Sequence, residues 1–168
     1  NNQRNCYTII TGCFFIHLNN NKCAVYAVLV SVDIGTYIAK NGGLYAEIIS
    51  TDKAPSAIGP YSQAIEVNGM VYTSGVIPVN PATGEIVEGG VDAANQAFQN
   101  LSNLVEASGS KVENIVKTTV FIKEMNDFGK INEIYKNYFK EPFPARSCVE
   151  VARLPKDVLL EVEAIAWK

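Results

Sequence analysis

The feature that most constrains the fold is a pair of helical periodicities set among strand-like segments. In residues 91–110 apolar side chains recur at intervals of three, four and seven, which predicts an amphipathic helix that stops at Gly109. Residues 126–139 have a similar pattern, with Asn126 or Asp127 as the predicted N-cap and prolines beyond the end. Each helix has one apolar stripe, so each must be covered by another layer of the fold.

Six strand-like segments flank these helices, and they are LYAEIIST, SQAIEV, GMVYTSG, NIVKTTVFIK, ARSCVEVARL and VLLEVEAIAW. The second and third meet at Asn68-Gly69, a strong hairpin signal, and the last two are joined at PKD. The predicted order along the chain is β-β-β-α-β-α-β-β. In this order two helices can cover one face of a mixed sheet, so the sequence predicts an α+β fold.

Residues 1–44 differ in kind from the predicted domain of residues 45–168. The first part has a net charge of +2, three of the four cysteines and the single histidine, His17. Its apolar run, residues 23–39, is short for a membrane span and is interrupted by an aspartate and a glycine. We interpret the first part as an extension outside the domain, which could be an artefact of how the sequence was defined. A targeting peptide or a membrane anchor is the alternative.

The composition of the predicted domain excludes several kinds of chemistry. Residues 45–168 contain no histidine, so they cannot form a Ser–His or Cys–His pair, and with one cysteine they hold no His/Cys cluster for zinc. The single cysteine also indicates a reducing compartment, and we expect a cytoplasmic protein, or a mitochondrial or plastid one if the extension targets it. The domain has 11 basic and 16 acidic residues, a net charge of −5, which argues against a nucleic-acid partner. We expect no association with a membrane.

The stretch PARSCVEV places Arg146 and Cys148 on one face of a predicted strand. The planar guanidinium fork suits a carboxylate ligand, although a surface arginine or one paired with Glu150 or Glu163 would give the same pattern. Cys148 is either a thiolate activated by the nearby cation or a small buried hydrophobe.

Glu161 lies inside the apolar run VLLEVEAIAW, where burial would raise the carboxyl pKa and suit it to act on a water molecule. A solvated strand edge or a structural ion pair is the alternative. Tyr61 follows a Gly-Pro turn, and Ser74 and Gly75 end a strand where a ligand could approach the backbone closely. Turns also use these residue types for conformational reasons alone.

Four segments make the region from about Ala46 to Trp167 resemble the RidA/YjgF family of enamine/imine deaminases. They are APSAIGPYSQA, YTSGVIPVNPATGE, VKTTVFIKEMNDF and PARSCVEVARLPKDVLLEVEAIA. The resemblance implies a chorismate-mutase-like fold, with a mixed sheet and two helices packed on one face. It also implies a homotrimer with active sites between subunits.

The resemblance further implies hydrolysis of 2-imino acids, such as 2-iminopropanoate and 2-iminobutanoate, to 2-oxo acids and ammonia. These imino acids form from 2-aminoacrylate and 2-aminocrotonate, the enamines released by pyridoxal-phosphate-dependent serine/threonine dehydratases. No cofactor or metal is implied. Arg146 would hold the substrate carboxylate and Glu161 would position the attacking water, with Tyr61 as a third catalytic residue. The other implied substrate-binding residues are Ser74, Gly75, Ser147 and Cys148.

Two other functions remain as alternatives at this point. Some relatives are described as endoribonucleases or translation inhibitors. An RNA-cleaving activity that co-purifies with the protein would indicate such a function. A non-catalytic carboxylate-binding or chaperone-like trimer would keep the role of Arg146 but would not need Glu161.

Overall fold

All the helices and strands predicted for the domain are present in the computed structural model, which describes residues 37–40 and 44–168. Strands comprise Tyr37–Lys40 (β1), Leu44–Ile49 (β2), Ala64–Val67 (β3), Met70–Thr73 (β4), Ile115–Ile122 (β5), Ala145–Glu150 (β6) and Leu160–Trp167 (β7). The helices are Gly90–Ala107 (α1) and Phe128–Tyr138 (α2). Most of the extension, including its cysteines and its histidine, lies outside the described residues. The domain boundary after residue 44 therefore stays a prediction.

The ends of the helices follow the predicted signals in part. Gly109 has a φ of 82°, in the left-handed region that glycine adopts without strain, and it stops α1. Asp127 is the cap residue of α2, but its carboxylate accepts from Lys130 Nζ at 3.2 Å and bonds to no helix N–H group. The side-chain cap predicted at this position is therefore absent from the structure.

The strands form one seven-stranded sheet in the order β1-β2-β3-β4-β7-β5-β6. Every neighbouring pair is antiparallel except β5 and β6, which are parallel because α2 crosses between them. Strands β6 and β7 are consecutive in the chain but do not pair, since β5 lies between them. Strand β1, which the sequence analysis placed in the extension, pairs with β2 at one edge.

Both helices cover the same face of the sheet, as the sequence predicted, and the core lies between the two layers. Alternate residues of β7 point into it, so Val162 and Ala164 are almost fully buried. Phe98 of α1 is completely buried and packs the two helices against each other. Its ring centroid lies 5.6 Å from that of Tyr135 and 5.9 Å from that of Phe139.

The opposite face of the sheet carries no helix among the described residues, and we call it the open face. Its side chains are the alternate residues of the strands, including Tyr72 and Val149, which are 44% and 43% exposed. Glu161 belongs to this face because it lies opposite Phe121, one residue out of phase with buried Val162. No helix in the described part of the chain is long and apolar enough to cross a membrane.

Asn100 connects α1 to the loop that follows β4. Its amide nitrogen donates to the carbonyl oxygen of Ile77 at 3.1 Å and to that of Val79 at 2.8 Å. The side chain has no solvent exposure, although it lies on the apolar side of the helix. The carbonyl of Ile77 also accepts from the N–H of Val79 at 2.8 Å, so the buried carbonyl of Val79 is the one that depends on the amide for a partner.

We expect Asn100→Ala to lower the free energy of unfolding by about 1–3 kcal/mol, because the buried carbonyl of Val79 loses its donor. Urea denaturation followed by circular dichroism measures this change. Gln99→Ala, one residue away on the exposed side of α1, should change it by no more than about 0.5 kcal/mol. Equal effects of the two substitutions would show that the Asn100 amide is not a structural tie.

Candidate active site

A cavity of about 280 Å³ lies where the end of β4 meets β7. Four residues predicted from the sequence line it, and they are Tyr61, Ser74, Gly75 and Glu161. Three further lining residues, Ile58, Ile77 and Pro155, were not predicted. One chain thus brings together a carboxylate, two hydroxyl groups and an exposed backbone segment in a single cavity.

Gly75 lies directly against the side chain of Glu161. The backbone of the next residue, Val76, exchanges hydrogen bonds of 2.8 and 3.0 Å with Val162, the residue after the glutamate. A Cβ atom added to Gly75 would overlap Oε1 of Glu161 and would lie 2.6 Å from its Cδ. The position must therefore be glycine for the carboxylate to occupy its observed place.

The hydroxyl groups of Ser74 and Tyr61 each form one hydrogen bond to a backbone group. Ser74 Oγ donates to the carbonyl oxygen of Ser62 at 2.7 Å. The Tyr61 hydroxyl accepts from the N–H of Ile58 at 3.3 Å, and 47% of the residue is exposed. Each hydroxyl oxygen keeps the capacity for a further hydrogen bond.

Gln63 organises the loop beside this cavity, and the sequence analysis did not identify it. Its side-chain oxygen accepts from the N–H of Thr51 at 2.7 Å. Its nitrogen donates to three carbonyls, of which the shortest contact is 2.8 Å to Pro55. The signal available in the sequence was an amide among the buried positions of a strand-like segment, a group that requires several partners.

Glu161 is half-buried, and this burial raises the pKa of its carboxyl group. The charge of Glu163 on the same face raises the pKa further. The sequence analysis predicted the effect of burial but not that of Glu163. Because both effects favour the protonated form, the carboxylate is a better proton acceptor than an exposed glutamate.

Arg146 lies on the opposite face of the sheet from Glu161. In the parallel pair of β5 and β6 it is opposite Thr118, whose side chain is fully buried beneath the helices. Its guanidinium carbon lies 4.6 Å from the ring centroid of Tyr135. No ion pair among the described residues includes Arg146, so neither Glu150 nor Glu163 neutralises it.

Cys148 lies beside Arg146 on the helix-bearing face and is half-buried against the core. Burial raises the pKa of its thiol, and the charge of Arg146 only partly opposes this effect. A thiol with a raised pKa is a poor nucleophile at neutral pH, which agrees with a small packed side chain. Ser147, between them, points to the open face and accepts from Lys117 Nζ at 2.6 Å.

Six of the seven predicted residues therefore form two groups within one chain, and Ser147, on the open face of β6, belongs to neither. The carboxylate group consists of Tyr61, Ser74, Gly75 and Glu161, on and beside the open face. The arginine group consists of Arg146 and Cys148, on the helix-bearing face of edge strand β6. Among the residues that the structure describes, no three His, Cys, Asp or Glu side chains are grouped so that they could hold a metal ion.

Comparisons with known proteins agree with this fold. Residues 51–168 match the family described as Endoribonuclease L-PSP. The 2-iminobutanoate/2-iminopropanoate deaminase of Escherichia coli is 54% identical over 124 residues, which cover 72% of this chain and 97% of that protein. A RutC family protein of Pasteurella multocida is 56% identical over 126 residues, covering 73% of this chain and 98% of the relative.

A solved structure, that of Escherichia coli TdcF with bound serine, is similar in three dimensions. It is 53% identical, has a TM-score of 0.70 and covers 73% of this chain and 98% of its own. The chain therefore belongs to the RidA/YjgF family, and the α+β fold expected from that resemblance is confirmed.

Removal of the charge on Glu163 should lower the pKa of Glu161. Glu163→Gln leaves burial as the main remaining cause, so the pKa should fall toward the ordinary glutamate value, about 4.3, without reaching it. Carbon-13 NMR titration of the Glu161 carboxyl carbon measures this shift. Glu85→Gln, in an exposed loop, should leave the titration unchanged, and an unchanged value in Glu163→Gln would exclude coupling between the two glutamates.

Proposed function

We propose that the protein hydrolyses small 2-imino acids to 2-oxo acids and ammonia. The observation that carries the proposal is the contact of Glu161 with Gly75, which places a carboxylate of raised pKa in a cavity that Tyr61 and Ser74 also line. The Escherichia coli relative named as such a deaminase matches over nearly its whole length, which supports the same reaction here.

The chemistry requires a base and a carboxylate clamp. Water adds to the carbon of a protonated imine, and Glu161 accepts the proton that this water loses. Glu161 then returns this proton to the amine nitrogen, and the C–N bond breaks to release ammonia as the carbonyl forms. The carboxylate takes the proton that the hydroxyl group loses in this step and passes it to ammonia, which leaves as ammonium. Since a protonated imine is already electrophilic, correct placement of the water can supply much of the acceleration.

We further propose that the site is completed by a second copy of the chain, in a homotrimer. The support is the separation of Arg146 from Glu161 on opposite faces of one sheet. Strand β6 is an edge strand, so its arginine can reach a neighbouring subunit's cavity and bind the substrate carboxylate through two parallel hydrogen bonds. Each subunit then supplies the arginine group to one site and the carboxylate group to another.

A coupled assay tests both parts of the proposal. A serine/threonine dehydratase generates the enamine, and the appearance of the 2-oxo acid is followed with and without this protein. Arg146→Ala and Glu161→Ala should each lower the rate at least about 100-fold, because a bidentate charged contact or the base is lost. Lys111→Ala, an exposed cation on a loop, should retain the wild-type rate.

Mixed trimers of these two variants should regain activity. If the two variants carry different tags and are co-expressed, trimers that carry both tags have one intact site in three and should reach about a third of the wild-type rate. Mixed trimers without activity would place the whole site within one chain. A folded wild-type protein that produces no acceleration would contradict the deaminase proposal, and RNA cleavage would then be tested, as the family description suggests.

Gly75→Ala should inactivate the protein without unfolding it. The φ of Gly75 is not positive, so alanine fits the backbone, but its methyl group takes the space of the Glu161 carboxylate. We expect kcat to fall at least about tenfold while the melting temperature changes little, as for loss of a positioned base. Gly129→Ala, where an added Cβ meets no atom within 4 Å, is the control and should retain kcat. Full activity in Gly75→Ala would show that the carboxylate can act from another position.

A further inference from the structure

We propose that Tyr135 is a positioning residue for Arg146, and that its ring holds the guanidinium in the orientation that binds a carboxylate. The inference rests on the proposed function, in which Arg146 binds the carboxylate of the substrate. The alternating pattern of β6 does not predict an aromatic neighbour for Arg146. The ring that contacts the guanidinium belongs to Tyr135 of α2.

The guanidinium of Arg146 lies against two aromatic rings. Its central carbon is 4.6 Å from the ring centroid of Tyr135 and 5.5 Å from that of Phe128, and both distances are within the range of cation–π attraction. Both rings belong to α2, one on its first turn and the other two turns later. The helix therefore presents an aromatic surface to the cation.

The Tyr135 ring is itself held firmly in place. Only 4% of the residue is exposed, and its hydroxyl shares a 2.8 Å hydrogen bond with the hydroxyl of buried Thr118. Phe139 stacks on the ring at a centroid distance of 4.2 Å, and Phe98 meets it edge to face at 5.6 Å. A ring fixed by these contacts can restrain a long side chain that has many rotamers.

A ring restrains an arginine differently from a carboxylate. An acidic partner would occupy the N–H donors of the guanidinium and neutralise its charge, whereas the face of a ring uses none of those donors. Burial raises the pKa of the Tyr135 hydroxyl, although the Thr118 hydrogen bond and the charge of Arg146 partly oppose this. The phenol therefore stays neutral at physiological pH, and Arg146 keeps its charge and its donors for a ligand.

Removal of the ring should weaken carboxylate binding more than it slows the chemical step. In Tyr135→Leu we expect KM and the Kd for 2-oxobutanoate to rise about tenfold, with a much smaller change in kcat, since the ring does not touch the reacting atoms. Tyr135→Phe keeps the ring and should recover most of the affinity. Tyr138→Leu removes another ring of α2, which packs on Phe98 at a centroid distance of 5.6 Å rather than on Tyr135 or Arg146, so it serves as the matched control.

The mobility of Arg146 gives a test that needs no catalysis. The heteronuclear ¹⁵N NOE of the Arg146 Nε–H group should fall in Tyr135→Leu and stay near the wild-type value in Tyr138→Leu. Melting temperature and oligomer size, measured for each variant, identify any that fails to fold. If Tyr135→Leu fails to fold, Phe128→Leu replaces it, since Phe128 is 37% exposed and less important for packing. This variant should show a smaller loss of carboxylate affinity and a smaller fall in the Arg146 NOE.

The outcomes separate this inference from the proposed function. If the wild type hydrolyses imino acids and Tyr135→Leu behaves like Tyr138→Leu in both KM and Arg146 mobility, the positioning role is wrong and the deaminase proposal stands. If the wild type is inactive but Tyr135→Leu still mobilises Arg146 and weakens 2-oxobutanoate binding, the positioning role stands and the deaminase proposal fails.

Discussion

The site depends on the register of β7, the strand that lies between β4 and β5 near the middle of the sheet. Its alternation sends Val162 into the core and Glu161 to the open face, and the hydrogen bonds between Val76 and Val162 then bring Gly75 against that glutamate. A shift of one residue would bury a carboxylate and expose the core. The hydrophobic pattern that selects the register for stability therefore also places the proposed catalytic group.

The sheet also separates the two charges that the proposed reaction needs. Within one chain Arg146 and Glu161 point to opposite faces, so they cannot form the salt bridge that two such groups would form if they faced each other. Each instead has surroundings that maintain its reactivity. Burial and Glu163 raise the pKa of the glutamate, while an aromatic surface restrains the arginine without using its donors. Assembly with a second copy would bring the charges together around the substrate.

Most elements of the domain could be predicted from the sequence because each has a strong period and a clear boundary, but the pairing of the strands could not. Strands β6 and β7 are joined by a short link and resemble a hairpin in sequence, yet the helix between β5 and β6 makes those two strands parallel neighbours. Strand β1 was missed because the apolar run that precedes and includes it has no alternation. Tyr135 lies within the helical pattern of residues 126–139, and helical spacing cannot distinguish a ring that packs from one that also contacts a cation.

The contact between Gly75 and Glu161 has a consequence for how the sequence can change over time. A larger side chain at position 75 requires that the glutamate move or be replaced by a shorter residue, and a shorter residue at 161 in turn removes the constraint on position 75. The two positions are coupled, so substitutions at them are epistatic rather than independent. In relatives that lack the reaction of this cavity, residues other than glycine at position 75 should occur together with residues other than glutamate at position 161. More than 80 residues separate the two positions in the chain.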